Sequence, residues 1–397
     1  MIYLDYQATT PLAPQAFEAM LPWLRDNFAN PHSPHAAGRK AKAAVQVARA
    51  QVAALLPANG RIAFTSGATE ALNWAIKGVN VNGPPGRIVT LATEHAAVLD
   101  TVEALAGQGR EIVVLPVGAD GLVDLDMARA AIVPGTALVA AMLVNNEIGV
   151  VQPIAALAAR AHAAGALMLC DAVQGYGRVE LPATCDLIAV SGHKIYGPKG
   201  VGALWMRDGV TLAPLLHGGG QEAGGRSGTL SPALCVGFGV AAQLMGARRA
   251  ADAAHVARLW ETATTALRRH PGLGPGANAP QTPASMEGWT PDQVRGDGEW
   301  LVNGSIADRY LGNLNIRRDG LDVARLMSEL RDIAFSAGSA CASGSGRSSH
   351  VLRAIGLSEA EARSSIRLGF GRYTTEAEVR EAIDRIVTAA EAQRVAG

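Results

Sequence analysis

Short apolar runs and longer amphipathic stretches alternate through the first two thirds of the chain. Each short run is aliphatic and ends at a polar or glycine-containing turn, a pattern typical of strands buried on both faces. The longer stretches carry apolar residues at helical spacing. Strands are predicted at 61–65, 87–91, 111–115, 137–144, 166–170 and 187–190. This order predicts an α/β fold whose mostly parallel sheet is covered by helices on both faces.

The pattern then changes. Residues 251–269 predict a charged helix, and residues 271–304, rich in Pro, Gly and Asn, predict a long loop. Further elements are predicted as strands at 314–316, 333–336 and 365–370 and helices at 322–332, 358–364 and from 376. We therefore expect a large domain over residues 14–250 and a smaller α+β domain formed by residues 1–13 and 251–397.

Composition narrows the class of partner. The chain has 35 acidic and 35 basic residues, so no net field attracts nucleic acid or an anionic membrane, and a small molecule or another protein is expected. No apolar run reaches the roughly 20 residues of a membrane span, and residues 1–5 lack the features of a signal peptide. Four cysteines show no paired spacing of the metal or disulfide kind. These features favour a reducing, cytoplasmic location.

Lys194 is the candidate for amine chemistry. It directly follows the apolar run 187–190, within the polar and glycine-rich stretch 191–200. The chain has only five lysines, at positions 40, 42, 77, 194 and 199. Arginine keeps its proton and forms no Schiff base, so few side chains are available for such chemistry. The alternative is that Lys194 merely caps a strand at the surface.

Other polar side chains follow other strands of the predicted sheet. Parallel strands end at one edge, where α/β proteins bind ligands. The turn 66–69 opens a helix whose unpaired N–H groups suit a phosphate, although it could be an ordinary helix cap. The other residues at this edge are His95, Asn146, Asp171 and Gln174. Together with Lys194 they suit pyridoxal phosphate, which needs a lysine, a carboxylate, a phosphate cradle and a group over its ring. Asn146 and Gln174 are the candidates to contact the phenolic oxygen of that ring.

Eight motifs resemble those of the cysteine desulfurases, which are class V aminotransferase-like, fold-type I enzymes dependent on pyridoxal phosphate. They lie, in the order of that family, at 3–10, 65–70, 93–95, 144–149, 191–194, 226–229, 339–341 and 364–367. The resemblance thus covers nearly the whole chain. It implies fold type I, with a mostly parallel seven-stranded sheet in the large domain, and a homodimer.

The resemblance also implies how the cofactor is held. Lys194 would bind it as a Schiff base, Asp171 would pair with its pyridine nitrogen, and His95 would stack on its ring and help move protons. The phosphate would be held by Ala68, Thr69, Ser191 and His193. Thr229 would reach the same phosphate from the neighbouring subunit.

For the reaction, the resemblance implies that L-cysteine becomes L-alanine while its sulfur passes to Cys341 as a persulfide. Arg367 would bind the substrate carboxylate through paired hydrogen bonds, with Asn146 beside it. Most of an unperturbed thiol is protonated at neutral pH, so His95 would assist its ionisation. Cys341 lies in a Gly- and Ser-rich segment, about 337–349, that resembles the mobile cysteine loop of the family's first group.

The expected partner is a sulfur-acceptor protein, either an iron–sulfur scaffold or a thiolation relay. No resident metal is expected, although Cys341 would be able to ligate a cluster transiently. Three alternatives stay open: a selenocysteine lyase, a related class V aminotransferase that needs no thiol, and a non-catalytic sulfur-relay subunit. Because Lys194, Asp171, His95 and Arg367 accompany Cys341, the sequence favours an active enzyme over the relay subunit.

Overall fold

The computed structural model describes residues 1–79, 86–269, 300–338 and 348–395. Within these ranges the strands are β1 (Ile2–Tyr3), β2 (Gly60–Thr65), β3 (Arg87–Leu91), β4 (Ile112–Leu115), β5 (Thr136–Met142), β6 (Leu167–Asp171), β7 (Leu187–Ser191), β8 (Gly202–Arg207), β9 (Leu301–Val302), β10 (Asn313–Arg317), β11 (Ile333–Ala334), β12 (Ser336–Ala337) and β13 (Ser365–Gly369). The α-helices are α1 (Pro14–Arg25), α2 (Ala36–Ala53), α3 (Ala68–Gly78), α4 (Ala96–Ala106), α5 (Leu125–Ala131), α6 (Ile154–Ala163), α7 (Pro232–Arg269), α8 (Val323–Glu329), α9 (His350–Ala354), α10 (Glu359–Arg363) and α11 (Glu376–Val395). Two short 3-10 helices lie at Gly192–Lys194 and Glu222–Gly224.

Seven strands form one large sheet in the order β2-β8-β7-β6-β5-β3-β4. β8 runs antiparallel to both of its neighbours, and every other pairing in the sheet is parallel. β5 is buried at all its positions, as expected for a strand between two helical layers. The prediction of an α/β fold with a mostly parallel sheet is confirmed, although β8 has no counterpart among the predicted strands. The parallel strands end at one edge of the sheet, where the candidate residues follow them.

Two apolar layers cover the faces of this sheet. On one face, α2 and α7 pack with Phe64 of β2, whose ring lies edge-on to Phe238. On the other face, α3 and α4 pack Trp74 and Val98 against the strands. A Cβ added at Gly239 of α7 would lie only 2.8 Å from the α2 backbone, so a small residue permits this close helix packing.

Helix α7 runs without a break for 38 residues and serves two apolar cores. Its first half buries Phe238 against the large sheet, and its second half buries Trp260 in the core of the smaller lobe. The prediction of a helix starting near residue 251 was therefore wrong, since the helix begins at Pro232. Gly237 and Gly239 weaken the helical pattern of the first half, which packing against α1 and α2 stabilises instead. The predicted division of the chain near residue 250 stays a prediction.

The smaller lobe contains two further sheets, ordered β12-β13-β10-β9 and β1-β11. The single strand predicted at 333–336 is in fact two strands in different sheets: β11 pairs with β1, and β12 pairs with β13. The chain changes sheet at Phe335, whose side chain is buried in the core. Most of the predicted loop 271–304, and Cys341 with its neighbours, lie outside the described residues. None of the helices in the described part of the chain combines the length and the apolar character needed to cross a bilayer.

Candidate active site

Lys194 lies in the 3-10 helix that directly follows β7. Its ammonium donates hydrogen bonds to two main-chain carbonyls, Gln7 O at 2.5 Å and Ala8 O at 2.8 Å. These acceptors belong to residues 5–10, called here the N-terminal segment, which runs across the edge of the large sheet. Thr10 fixes the segment there, because its N–H and its hydroxyl both donate to His193 O, at 2.9 and 2.8 Å. The lysine is therefore held in a half-buried position and does not extend into solvent.

The backbone just after Lys194 is conformationally strained. Tyr196 has a φ of 67°, in the left-handed region that a bulky residue rarely adopts. Three contacts hold it there: its N–H donates to Thr10 Oγ1 at 2.7 Å, its hydroxyl accepts from Arg372 N–H at 2.8 Å, and the Arg372 guanidinium lies 4.2 Å from its ring centre. Such strain persists only where the surroundings over-determine it, and it fixes the direction of the chain beside Lys194.

Asp171 is the last residue of β6 and is almost fully buried. Burial raises the pKa of its carboxyl to about 6, while a hydrogen bond from Val173 N–H at 3.0 Å and the charge of Lys194 act in the opposite direction. The carboxylate is therefore ionised at neutral pH. A buried anion near the lysine is what a protonated ring nitrogen requires.

Gln174 and His193 complete this side of the site. Gln174 is buried, and its Nε2 donates at 2.9 Å to Gln7 O, the carbonyl that also accepts from Lys194. His193 shares a hydrogen bond of 3.1 Å between its Nδ1 and Thr9 Oγ1. Burial, followed by the charges of Lys194 and Lys199, lowers the pKa of His193 to about 4. Its imidazole is thus neutral at pH 7.

His95 caps the N-terminus of α4. Its Nδ1 accepts a hydrogen bond from Ala97 N–H at 3.0 Å, so the neutral ring carries its proton on Nε2. Burial is the main cause that lowers its pKa, and the charges of Lys194 and His350 lower it further. His95 is therefore neutral near Lys194, and it presents an N–H donor on the nitrogen that does not cap the helix.

Glu94, beside His95, adds a second buried carboxyl. Its Oε1 accepts from Met142 N–H at 2.8 Å, and burial together with the charge of Asp171 raises its pKa well above the ordinary value. Met142 is the residue that pairs with Asp171 across β5 and β6. Burial of this carboxyl thus favours its neutral form, which places no second full negative charge beside Asp171.

The N-terminus of α3 follows β2 at the same edge. Ala71 N–H is the first to bond within the helix, to Gly67 O at 3.2 Å. The N–H groups of Ala68 and Thr69 precede it and lie at the positive end of the helix dipole. A Cβ added at Gly67 would meet no atom within 4 Å, so there is room in front of these donors. This end of α3 fits a phosphate.

Arg367 occupies β13 in the smaller lobe and is 1% exposed. Its Nη2 donates to Asp5 Oδ1 at 2.8 Å and to Ser336 Oγ at 3.2 Å, and its Nη1 donates to Asn146 O at 3.0 Å. The N-terminal segment thus links both lobes, since its Asp5 contacts Arg367 and its Gln7 and Ala8 contact Lys194. Arg367 contacts the main chain of Asn146 directly, and the N-terminal segment connects Arg367 to Lys194.

The remaining predicted residues, Ser191, Thr229 and Cys341, lie in different parts of the chain. Ser191 is buried at the end of β7, between β6 and β8 in the sheet. Thr229 is exposed on a loop that Arg226 ties to α3 through Glu70, at 2.6 Å. Cys341 lies outside the described residues.

Sequence reasoning missed the N-terminal segment as part of the site. The motif at residues 3–10 was visible, but Gln7 and Ala8 act through main-chain carbonyls, which leave no trace in residue type. Asp5 was a detectable signal, since a carboxylate within a motif is a natural partner for an arginine. Among the described residues, no group of three or more His, Cys, Asp or Glu side chains could hold a metal ion.

Taken together, these residues fit pyridoxal phosphate. The open space before Gly67 would accept the phosphate, the buried Asp171 carboxylate would pair with the ring nitrogen, and the half-buried Lys194 ammonium lies near that carboxylate. In this site, the cofactor would be held by Lys194, Asp171 and the first residues of α3, with Gln174 and His95 next to its ring.

The chain is similar to known proteins over most of its length. Residues 2–381 match the sequence profile of the family "Aminotransferase class-V". "Cysteine desulfurase IscS" of Rickettsia rickettsii (strain Iowa) is 40% identical over 394 residues, which cover 97% of this chain and 90% of that protein. The same-named protein of Rickettsia felis is 41% identical, with equal coverage.

Solved structures of similar proteins superpose over most of the chain. A NifS-like protein from Rickettsia africae ESF-5 has a TM-score of 0.83 and 28% identity, covering 98% of this chain and 99% of its own. A structure described as "SspA in complex with cysteine" has a TM-score of 0.78 and 34% identity, covering 94% of this chain and 100% of its own.

Proposed function

The chain belongs to the class-V aminotransferase family and is a cysteine desulfurase that depends on pyridoxal 5′-phosphate; on this basis we propose which of its residues carry each part of the reaction. The observation that supports the assignment is the joint placement of Lys194, Asp171 and Arg367 around the N-terminal segment. Lys194 lies on the carbonyls of Gln7 and Ala8, and Arg367 lies on the carboxylate of Asp5.

Lys194 and Asp171 are proposed to bind and activate the cofactor. When bound, pyridoxal phosphate supplies an electron sink for the bonds at the substrate Cα. Asp171, ionised at neutral pH, keeps the ring nitrogen protonated, which that sink requires. Lys194 holds the aldehyde end of the cofactor before substrate arrives and then takes the proton from the substrate Cα at Nζ. Its two carbonyl acceptors give the released amine a defined position beside the site.

The phosphate and ring are proposed to contact the surrounding donors. Ala68 and Thr69 donate from the first turn of α3, with Ser191 and His193 beside them. His193 is neutral, so it contributes a hydrogen bond and no charge. Gln174 donates to the phenolic oxygen, and Asn146 lies near the same atom and the substrate. His95 covers one face of the ring.

Arg367 is proposed to orient the substrate by its carboxylate. Guanidinium suits this task because its planar fork matches the two oxygens of a carboxylate. Burial of the side chain strengthens the attraction by excluding water. The described complex of SspA with cysteine supports L-cysteine as the substrate of this chain as well.

Cys341 is proposed as the nucleophile that takes the substrate sulfur and holds it as a persulfide. Its thiolate attacks the sulfur, the bond between that sulfur and the substrate Cβ breaks, and the three-carbon product leaves as L-alanine after protonation. The thiol needs an acceptor for its proton, and His95 is the candidate among the described residues of the site. His95 Nδ1 caps α4, so it accepts a proton only by giving up its bond to Ala97 N–H.

The partners are proposed from the same family membership. The persulfide on Cys341 passes its sulfur to an acceptor protein, an iron–sulfur scaffold or a thiolation relay. The working form is a cytoplasmic homodimer in which Thr229 of one subunit contacts the cofactor phosphate of the other.

The proposed division of roles is tested by incubating the purified holoenzyme with L-cysteine. We expect L-alanine in solution and one additional sulfur mass on the peptide that contains Cys341. The variant Cys341→Ala should keep the yellow bound cofactor but form no persulfide. The variant Lys194→Ala should form neither L-alanine nor the persulfide. Alanine formation at the wild-type rate by Cys341→Ala would contradict the role of the thiol.

A further inference from the structure

Arg178 contacts two residues of the active site although it lies outside all the motifs discussed above. Its Nη1 is 3.1 Å from Gln174 O and 3.3 Å from Gln174 Oε1, and its Nη2 donates to Lys194 O at 2.5 Å. The guanidinium also lies 5.3 Å from the ring centre of Tyr310, in the smaller lobe. Arg178 therefore joins the lysine proposed to hold the cofactor to the amide proposed to contact its ring oxygen.

A tight turn after β6 places Arg178 over Gln174. Tyr176 N–H donates to Ala172 O at 2.7 Å, and Arg178 N–H donates to Gly175 O at 2.9 Å. Gly177 has a φ of 73°, and a Cβ there would lie 2.9 Å from Met245 Cβ. Because only glycine meets both requirements easily, the turn is defined by sequence, and its two ends carry the two side chains that meet.

Two contacts of Gln174 determine the orientation of its side-chain amide. A guanidinium has donors and no acceptor, so the atom at 3.3 Å from Arg178 must be the amide oxygen. A main-chain carbonyl has no donor, so the atom at 2.9 Å from Gln7 O must be Nε2. Both neighbours give the same orientation, and Nε2 keeps a second N–H. Without Arg178, the oxygen would lose its donor, and Gln7 O alone would hold the amide in this orientation.

We propose that Arg178 is a positioning residue that orients the Gln174 amide and fixes the main chain at Lys194, so that an N–H donor faces the ring oxygen of the bound cofactor. The proposal rests on the proposed function, because it assigns Gln174 and Lys194 their roles toward that cofactor. Lysine cannot replace Arg178, since one ammonium has no planar fork with which to reach the Gln174 amide and the Lys194 carbonyl together.

The test uses holoenzyme variants and follows the pH titration of the cofactor's visible absorbance, together with kcat and KM. Arg178→Lys keeps the charge but loses the fork. We expect its titration midpoint to rise by about one pH unit, because the ionised ring oxygen loses a donor. Gln174→Ala should show a similar rise. For Arg178→Lys we expect kcat to fall about tenfold, the size of one lost hydrogen bond to a charged group, with KM for L-cysteine nearly unchanged.

A double variant separates positioning from other effects. If Arg178 acts through Gln174, Arg178→Lys combined with Gln174→Ala should have the midpoint of Gln174→Ala alone. Arg207→Lys is the matched control, because Arg207 also donates to two main-chain carbonyls, Ala183 O at 2.8 Å and Cys185 O at 2.7 Å, yet touches neither Gln174 nor Lys194. The control should keep the wild-type midpoint. Arg178→Met provides a second variant should the lysine variant fail to fold.

Two results would overturn the proposal. One is a wild-type midpoint in Arg178→Lys while Gln174→Ala is shifted. The other is additive shifts in the double variant, which would mean that the two residues act independently. Both results leave the proposed function intact. That function would fail separately if Lys194→Ala still bound the cofactor covalently.

Discussion

Arg367 donates a hydrogen bond from Nη2 to Oδ1 of Asp5 at 2.8 Å, so the guanidinium proposed for the substrate already contacts a carboxylate of its own chain. The arginine is 1% exposed and Asp5 is 20% exposed. Asp5 therefore compensates a buried charge before substrate arrives. Within the described ranges, Arg367 Nε is a buried donor without a hydrogen-bond partner.

Replacing Arg367 by lysine should reduce kcat/KM for L-cysteine about a hundredfold, mostly through KM. An ammonium keeps the charge but cannot hold Asp5, Asn146 O and a substrate carboxylate at once. Steady-state kinetics measures the loss. As a control, spectral titration with 2-aminoethanethiol, which lacks the carboxylate, should give the same affinity in both proteins. An equal loss of affinity for this analogue would show that Arg367 does not bind the carboxylate.

The cofactor-free protein should lose stability between pH 4 and pH 6 because of Asp171. Burial raises the pKa of its carboxyl from 3.8 to about 6, so the folded chain keeps a proton that the unfolded chain releases in this window. The stabilisation from this retained proton is fully present below pH 4. It is lost as the pH rises through the pKa that Asp171 has in the folded chain. The difference corresponds to about 3 kcal/mol. Urea unfolding of Asp171→Asn should show no such loss of stability. If the free energies of unfolding of variant and wild type differ by the same amount at every pH, Asp171 is not the group that titrates.

His193 should show the opposite dependence. Burial and two lysines lower its pKa from 6.5 to about 4, so stability from the neutral ring is present above pH 6.5 and is lost as pH falls toward 4. NMR of the cofactor-free protein with labelled histidine should find this imidazole still neutral at pH 5. The signal is assigned by its disappearance in His193→Gln. Protonation near pH 6.5 would mean that the ring is solvated and does not lie against Lys194.

Much of the site could be predicted because strand ends in a parallel sheet share an edge. Lys194 and Asp171 were identified in this way, since each directly follows or ends an apolar run, and the fold places them close enough for the charge of Lys194 to act on Asp171. Asp5 and Arg367 were harder, because they are 362 positions apart and belong to different local patterns. Arg178 gave no signal, since two of its acceptors are carbonyls that any residue would offer.

The fold was predictable to a similar degree and for similar reasons. Strands such as β3 and β5 have strong local patterns that tertiary packing reinforces. Helix α7 was misjudged at its start, because contacts with α1 and α2 outweigh the weak local preference of a glycine-containing stretch. The split between β11 and β12 depends on which partner strand each residue pairs with, which no local pattern contains.

The proposed contact of Thr229 with the cofactor of the other subunit predicts that two impaired variants restore activity when mixed. Thr229→Ala should weaken phosphate binding, and Lys194→Ala should abolish the reaction. In a mixed dimer, one site combines the intact Lys194 of the first subunit with the intact Thr229 of the second. Subunit exchange should therefore recover cofactor retention and desulfurase activity, up to one site per mixed dimer.

Mixing Thr229→Ala with the double variant Lys194→Ala/Thr229→Ala is the control, because no intact site can form there. If the control recovers as much activity as the first mixture, or if the first mixture of confirmed mixed dimers recovers none, Thr229 does not act across the interface. A simple in-chain role for this exposed residue predicts the second result, since each site would then keep its own defect.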